Sequence, residues 1–319
     1  MTNSMISVII CTYNRSSSLR VTLASLAHMT LPVDFRWELI VVDNNSKDDT
    51  AAVVEEFSIT SGLHVRYAFE SRQGLSYARN TGVQEASGEI IAFTDDDVEV
   101  DKLWILRLGE IFGELDCMAA GGRVIPVWSS PKPLWFYEEQ SPSLSGVIAH
   151  FDLGDVVCET TTAPFGANMA FRKEAFSKYG LFRADLGRKG DVLISGEETE
   201  FCHRLVQGKE KIAYDPRAVV YHPVQEERTQ KKYVQSWFFH RGWAQFRVDG
   251  IAQGAVCYYG VPRYLFRKIS ESFFAWIFSI ESKNRFRNKL RTYHIAGMIA
   301  ESRRQLATQD AVVSRVQRS

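Results

Sequence analysis

The chain has 319 residues, 45% of them apolar, which is enough to bury a sizeable core. Lys plus Arg and Asp plus Glu are equal at 38 each, so no global charge argues for a nucleic-acid partner. The balance is local: Val261 to Ser319 hold twelve basic against four acidic residues, leaving the first 260 residues at −8.

The opening apolar run in MTNSMISVIICTYNR is only about six residues long and lacks a basic leader, so it predicts a strand, not a signal peptide. Ile6 to Ile10, Trp37 to Val42, Val65 to Phe69 and Ile90 to Phe93 are β-rich runs. Between them Ser16 to His28, Asp48 to Ser58 and Leu75 to Ala86 have helical length and pattern. This alternation predicts an α/β fold with a mostly parallel sheet, built of right-handed βαβ units and flanked by helices. Ligands of such sheets bind beyond the carboxyl ends of the strands. That rule gathers Thr12-Tyr13-Asn14-Arg15, Asp43-Asn44-Asn45-Ser46 and Asp95-Asp96-Asp97 along one edge.

A further strand is expected near Arg123 to Val127. WSSPKPLWFYEEQSPSLSG, Trp128 to Gly146, then reads as a long loop or lid. Order returns from Pro164 to His222, and beyond Gln225 the chain is helical, aromatic and basic. The expected organisation is one α/β domain over 1–225, in two halves (1–127 and 128–225), followed by a helical extension over 226–319. The longest later apolar run, Phe273 to Ile280, falls far short of the roughly 20 residues a membrane-spanning helix needs. The five cysteines are widely spaced and form no C-x-x-C pair, the usage of a reduced, cytoplasmic protein.

No G-x-G-x-x-G follows the first strand, and G-x-x-x-x-G-K-[ST] and H-E-x-x-H are absent, which argues against a dinucleotide dehydrogenase, a P-loop kinase and a zincin. What is present, in order, is TYNR, VVDNNSKDDT, GLSYARNTGVQEASGEIIAFTDDD, GANMAFR and GEETEFCHRL. Over about residues 5 to 225 this series resembles the family 2 glycosyltransferases, inverting nucleotide-sugar enzymes with a GT-A (Rossmann-like) fold.

The resemblance implies a metal-bound diphosphate at the three aspartates. A hard divalent cation such as Mn²⁺ or Mg²⁺ takes one or two carboxylates plus phosphate oxygens. Asp95 and Asp97 match the family's Asp-x-Asp, with Asp96 between them, and His222 in VVYHP is a third ligand candidate. The alternative is that the aspartates cap a helix beginning near Lys102. Thr12, Tyr13, Asn14 and Arg15 match the loop that contacts base and ribose, and Asp43 the acidic residue that reads the base. Asn44 stands where the commoner pattern has a second Asp, which weakens the case for uridine without removing it. Arg79 and Asn80 match the family's A-R-N, whose arginine lies near the diphosphate. Asp95 and Asp96 are also expected against the donor.

The resemblance puts the general base in Glu197-Glu198, with Glu198 as the carboxylate that takes the acceptor proton. On a helical wheel Glu198, Phe201, Cys202 and Leu205 share the apolar face, with Glu197, Glu200 and Arg204 opposite, so only Glu198 is expected to point inward. Desolvation would raise its pKa toward the range of a useful base. Gly166, Ala167, Asn168 and Trp135 are expected on the acceptor side.

These expectations combine into a metal-dependent hexosyl- or N-acetylhexosaminyl-transferase moving a sugar from a UDP-sugar or related donor to a saccharide or lipid-linked acceptor, as in bacterial-type polysaccharide or glycolipid synthesis. The rivals are a nucleotidyltransferase and a nucleotide-sugar-binding protein without turnover. The C-terminal extension mixes aromatics with Arg and Lys. That composition suits either a peripheral contact with the inner face of the cytoplasmic membrane or a cover for the catalytic domain's flank.

Overall fold

The computed structural model describes residues 4–136, 142–190 and 192–316. In chain order its first half is β1 (Ile6–Thr12), α1 (Ser16–Ala27), β2 (Trp37–Asp43), α2 (Thr50–Ser61), β3 (Val65–Phe69), α3 (Leu75–Glu85) and β4 (Ile90–Thr94). The expected strands and helices are all present, with α2 displaced two or three residues toward the C-terminus. β5 (Glu99–Val100), α4 (Trp104–Glu114) and β6 (Ala119–Trp128) follow, then a short helix α5 (Pro142–Ser145), β7 (Cys158–Thr160), β8 (Met169–Arg172), α6 (Lys173–Tyr179), α7 (Glu197–Gln207) and β9 (Ile212–Val224). β6 is twice as long as its predicted run, because Ala119 to Gly122 also pair with β8 and β9. Part of the expected lid, residues 137–141, lies outside the described residues.

The strands join in the order β3-β2-β1-β4-β8-β6-β9-β5, with β7 also paired to β9. β1 to β4 are parallel; β8 runs antiparallel between β4 and β6, so β6 and β9 point the same way as β4. Alternate residues of β1 feed two cores. Ile6, Val8 and Ile10 pack with Leu19, Leu23, Trp104 and Leu108 of α1 and α4. Ile9 packs on the other face with Ala78, Phe176, Phe201 and Leu205 of α3, α6 and α7. Strands buried on both faces read as continuous apolar runs, which is why ISVII and WELIVV carry so little alternation.

The C-terminal part adds α8 (Lys231–Asp249), a two-stranded ribbon of β10 (Cys257–Tyr258) and β11 (Val261–Pro262), α9 (Arg263–Phe278) and α10 (Ser282–Val316). α8 and α10 lie close together: a Cβ at Gly242 would strike the His294 carbonyl, and one at Gly297 the Phe239 carbonyl. Val234, Trp237 and Phe238 of α8, with Leu290 of α10, pack on Phe136, Leu144, Val147, Ile148 and Val224 of the preceding part. Much of the aromatic stripe is therefore core. Among the described residues no helix is long and apolar enough to cross a membrane.

Candidate active site

The sheet brings its polar clusters to one edge, and side-chain bonds knit them together. Asn14 adopts a left-handed φ of 52° just after β1. Its Oδ1 accepts from the Lys47 N–H at 2.7 Å, and its own N–H donates to Ser46 Oγ at 3.0 Å, docking the first loop on the second. Thr12 is buried and Tyr13 is 38% exposed. Asp43, expected to read the base, is already engaged: Oδ1 accepts from the Ser46 N–H at 2.8 Å and Oδ2 from the Tyr67 hydroxyl at 2.7 Å. Asn44 is equally committed. Its Nδ2 donates to the Glu70 and Arg72 carbonyls, and its Oδ1 accepts from the Gly74 N–H at 2.8 Å, fixing the turn into α3. The residue at which the sequence departs from the commoner pattern thus shapes the loop from within.

The three aspartates leave β4 and do not cap α4, whose N-cap position is Leu103; just before it Asp101 Oδ1 accepts from the Leu103 N–H at 2.9 Å. β5 explains where they go. Glu99 pairs antiparallel with Tyr221 and Val100 with Val220, so the two preceding residues are drawn level with His222 and Pro223. Asp95, Asp97 and His222 consequently offer ligand atoms all within 4.8 Å of one another. His222 Nε2 lies 3.9 Å from Asp95 Oδ2 and 3.5 Å from Asp97 Oδ1. Its Nδ1 is 3.0 Å from the Pro223 carbonyl. A carbonyl only accepts, so that contact puts a proton on Nδ1 and leaves Nε2, which faces two carboxylates, as the ring atom a cation would bind. The donor set fits a hard or borderline divalent ion.

Asp97 also accepts from Arg15 Nη1 at 2.7 Å and from Gln225 Nε2 at 2.9 Å, and Asp96 from Arg15 Nη1 at 3.3 Å. Burial and then Asp97 push the Asp96 carboxyl upward. Burial alone would raise Asp97 too, but His222 and then Arg15 outweigh it and hold that carboxyl low.

Arg79, on α3, is buried. It pairs with Glu197 and reaches Asp95 Oδ1 at 3.9 Å. Gly166 makes room for it, since a Cβ there would overlap the guanidinium. Glu197 contradicts the helical wheel: it is 2% exposed, and Glu200, also expected outward, is 9% exposed. A wheel weighs only apolar neighbours, whereas Arg79 satisfies Glu197, and Arg204, at 2.9 Å, satisfies Glu200. Glu198 is half-buried, and its Oε2 is enclosed without a hydrogen-bond partner among the described residues. Burial, and then the adjacent Glu197, push its carboxyl up to about 8. One carboxylate of the pair is thus neutralised by a cation, and the other is free to take a proton.

The acceptor-side candidates diverge. Asn168 is fully buried: Oδ1 accepts from Trp104 Nε1 at 2.8 Å and Nδ2 donates to the Arg123 and Ala218 carbonyls, both at 2.9 Å. It pins β6, β9 and α4 together and has no atom left for a ligand. Ala167 is buried, its carbonyl accepting from Thr94 Oγ1 at 2.8 Å. Trp135 packs edge-on against Phe136 and Phe286, with Lys231 over its face, which ties the loop to α10. Asn80 holds the Phe182 backbone at both its amide ends, 2.9 and 3.0 Å, and so positions the segment before α7.

Two cations and an amide beside Asp97 escaped sequence reasoning: Gln225, Arg188 and Arg228. Arg228 is 5% exposed, donates to the Val147 carbonyl at 3.3 Å, and has an Nε without a partner among the described residues. Burial and then the like charge of Arg188 weaken its hold on its proton, while Asp97 and Asp95 oppose them. Polar residues directly downstream of His222, in HPVQEER, were the available signal.

Comparison with known proteins bears on the family and the fold. The family model described as glycosyl transferase family 2 matches residues 7–180. Among curated relatives, a glucosyl-dolichyl phosphate glucuronosyltransferase of Haloferax volcanii is 28% identical over 253 residues, covering 76% of this chain and 77% of that protein. The succinoglycan biosynthesis protein ExoM of Rhizobium meliloti is 28% identical over 240 residues, covering 75% and 73%. Among solved structures, the mannosyltransferase PcManGT of Pyrobaculum calidifontis, in complex with GDP-Man and Mn²⁺, aligns with TM-score 0.63 at 17% identity over 94% of this chain and 88% of that one. At that identity the likeness shows the fold.

Proposed function

The chain belongs to glycosyl transferase family 2, and from that premise we propose that it is an inverting, divalent-metal-dependent transferase that moves a sugar from a nucleotide-sugar donor, a UDP-sugar by preference, to a hydroxyl of a saccharide or lipid-linked acceptor. The observation that carries this reading is the convergence of Asp95, Asp97 and His222, linked through the buried Arg79 to the Glu197-Glu198 pair. Relatives named for dolichyl phosphate glycosylation, succinoglycan biosynthesis and chondroitin synthesis support the acceptor class. A solved complex of Staphylococcus aureus TarS with UDP, TM-score 0.52, supports the donor class.

Asp95, Asp97 and His222 would hold Mn²⁺ or Mg²⁺, which, when bound, neutralises charge on the diphosphate. Arg79 orients Glu197 and adds positive charge beside Asp95. Arg188 and Arg228 extend the cationic wall beside Asp97 and suit the leaving diphosphate. Glu198 Oε2 takes the proton of the acceptor hydroxyl as its oxygen attacks the anomeric carbon from the face opposite the leaving group. One displacement inverts that centre. The first loop, from Thr12 to Arg15, would contact the base and ribose.

The test is calorimetric titration of UDP-, GDP- and dTDP-sugars with and without Mn²⁺, followed by a released-nucleotide assay. Mn²⁺-dependent binding of a UDP-sugar is the expected result. Binding unaffected by chelation would remove the metal from the proposal, and a GDP-sugar preference would reassign the base.

A further inference from the structure

The C-terminal aromatics are not all buried. α9 turns Leu265 and Ser272 toward α10, where Leu265 packs with Phe246, Ile295 and Met298 and Ser272 Oγ accepts from Thr292 Oγ1 at 3.1 Å. Its opposite face is bare near the C-terminal end. Phe273 is 43% exposed, Phe274 58%, Ile277 49%, Phe278 73% and Ile280 96%. These side chains form one surface: Phe273 meets Phe274 edge-on, and Phe274 stacks on Phe278 with centroids 6.3 Å apart. Five large apolar side chains within eight positions, uncovered among the described residues, form the kind of patch that soluble monomers avoid unless something else covers it.

The charges around the patch select its occupant. From Arg263 to Arg291 the chain carries eight Lys or Arg and two Asp or Glu. Arg267 and Lys268 are exposed on the half of α9 before the aromatics, and Arg285, Arg287 and Arg291 on the turns of α10 after them. A second copy docking here by two-fold symmetry would bring this positive field against itself. An anionic bilayer complements it, with aromatics entering at the headgroup level while Arg and Lys stay among the phosphates.

We infer that the end of α9 and its turn into α10 form a peripheral docking surface for an anionic lipid bilayer, with Phe274, Phe278 and Ile280 entering the interface and Arg287 and Arg291 meeting the headgroups. This does not depend on which sugar or acceptor the candidate active site takes. It also divides the stripe that the sequence presents as a unit: α8 covers the catalytic domain, and the end of α9 faces the membrane.

The test is flotation of the full chain with neutral phosphatidylcholine vesicles and with vesicles containing roughly 30% phosphatidylglycerol, at low and at high salt. The expected result is selective flotation with the anionic vesicles, reversed by salt. A Phe274→Ser, Phe278→Ser, Ile280→Ser variant should partition about tenfold less or worse, and Arg287→Glu with Arg291→Glu likewise. All five side chains are exposed, so melting temperature should be unchanged in both variants. Unchanged partitioning of either variant overturns the proposal, as does equal binding to neutral and anionic vesicles. Absence of vesicle binding, with sedimentation showing self-association that the serine variant abolishes, would assign the surface to a second copy instead.

Discussion

Arg79 and Glu197 form an ion pair whose side chains are only 4% and 3% exposed, although 118 residues separate them in the chain. The same guanidinium faces Asp95 Oδ1 at 3.9 Å, so one side chain links the Asp95–Asp97 cluster to the Glu197-Glu198 pair. Glu197 thereby has its cation in Arg79, and the proposed proton-accepting role falls to Glu198.

Glu198→Gln should lower kcat by about 10³-fold, within the usual range for losing a positioned general base. Donor affinity should stay within about twofold by calorimetry, because Gln keeps the shape. Full transfer by this variant would put the base elsewhere.

The pH profile follows from the raised carboxyl. Glu198 accepts a proton only when ionised, so kcat/KM should climb with pH and level off near its pKa of about 8 in the free enzyme. Glu197→Gln removes the like charge that helps to raise that pKa and leaves Arg79 to lower it, so the rising limb should move to lower pH. A limb that stays in place would detach the profile from this pair.

Asp97→Ala and His222→Ala should each abolish the gain in donor affinity that Mn²⁺ brings, whereas Asp96→Asn should keep most of it. The contrast is legible by calorimetry with and without the ion, and equal losses in all three would argue for general damage to the loop.

Arg247 of α8 and Glu301 of α10 pair at 2.8 Å, 8% and 2% exposed, and Arg247 also donates to the Asp185 carbonyl. Arg247→Ala leaves Glu301 short of its buried partner and should cost about 3 kcal/mol in urea unfolding. Arg247→Met with Glu301→Leu should recover most of that loss.

Much of this was legible from patterns along the chain. The βαβ alternation predicts β1 to β4 and their helices, and the strand-end rule brings TYNR, DNNS and DDD to one edge. Composition and wheel arguments failed where partners come from afar. Glu197 reads as outward because its cation lies on α3, and Asn168 reads as a ligand because its partners, Trp104 and two carbonyls, are fixed by tertiary pairing. The same limit hid Arg188, which lies in a loop, and Arg228, which lies in a single 3-10 turn (Glu226–Thr229) too short for periodicity.

The register of β5 against β9 has one further consequence. Asp95 and Asp97 leave β4, His222 lies on β9, and β8 and β6 separate those strands in the sheet. A cation bound by all three would act as a cross-link over the junction between the all-parallel half and the mixed half. Its binding free energy would then add to the cohesion of the fold itself, and the melting temperature should rise with Mn²⁺ even before any donor is present.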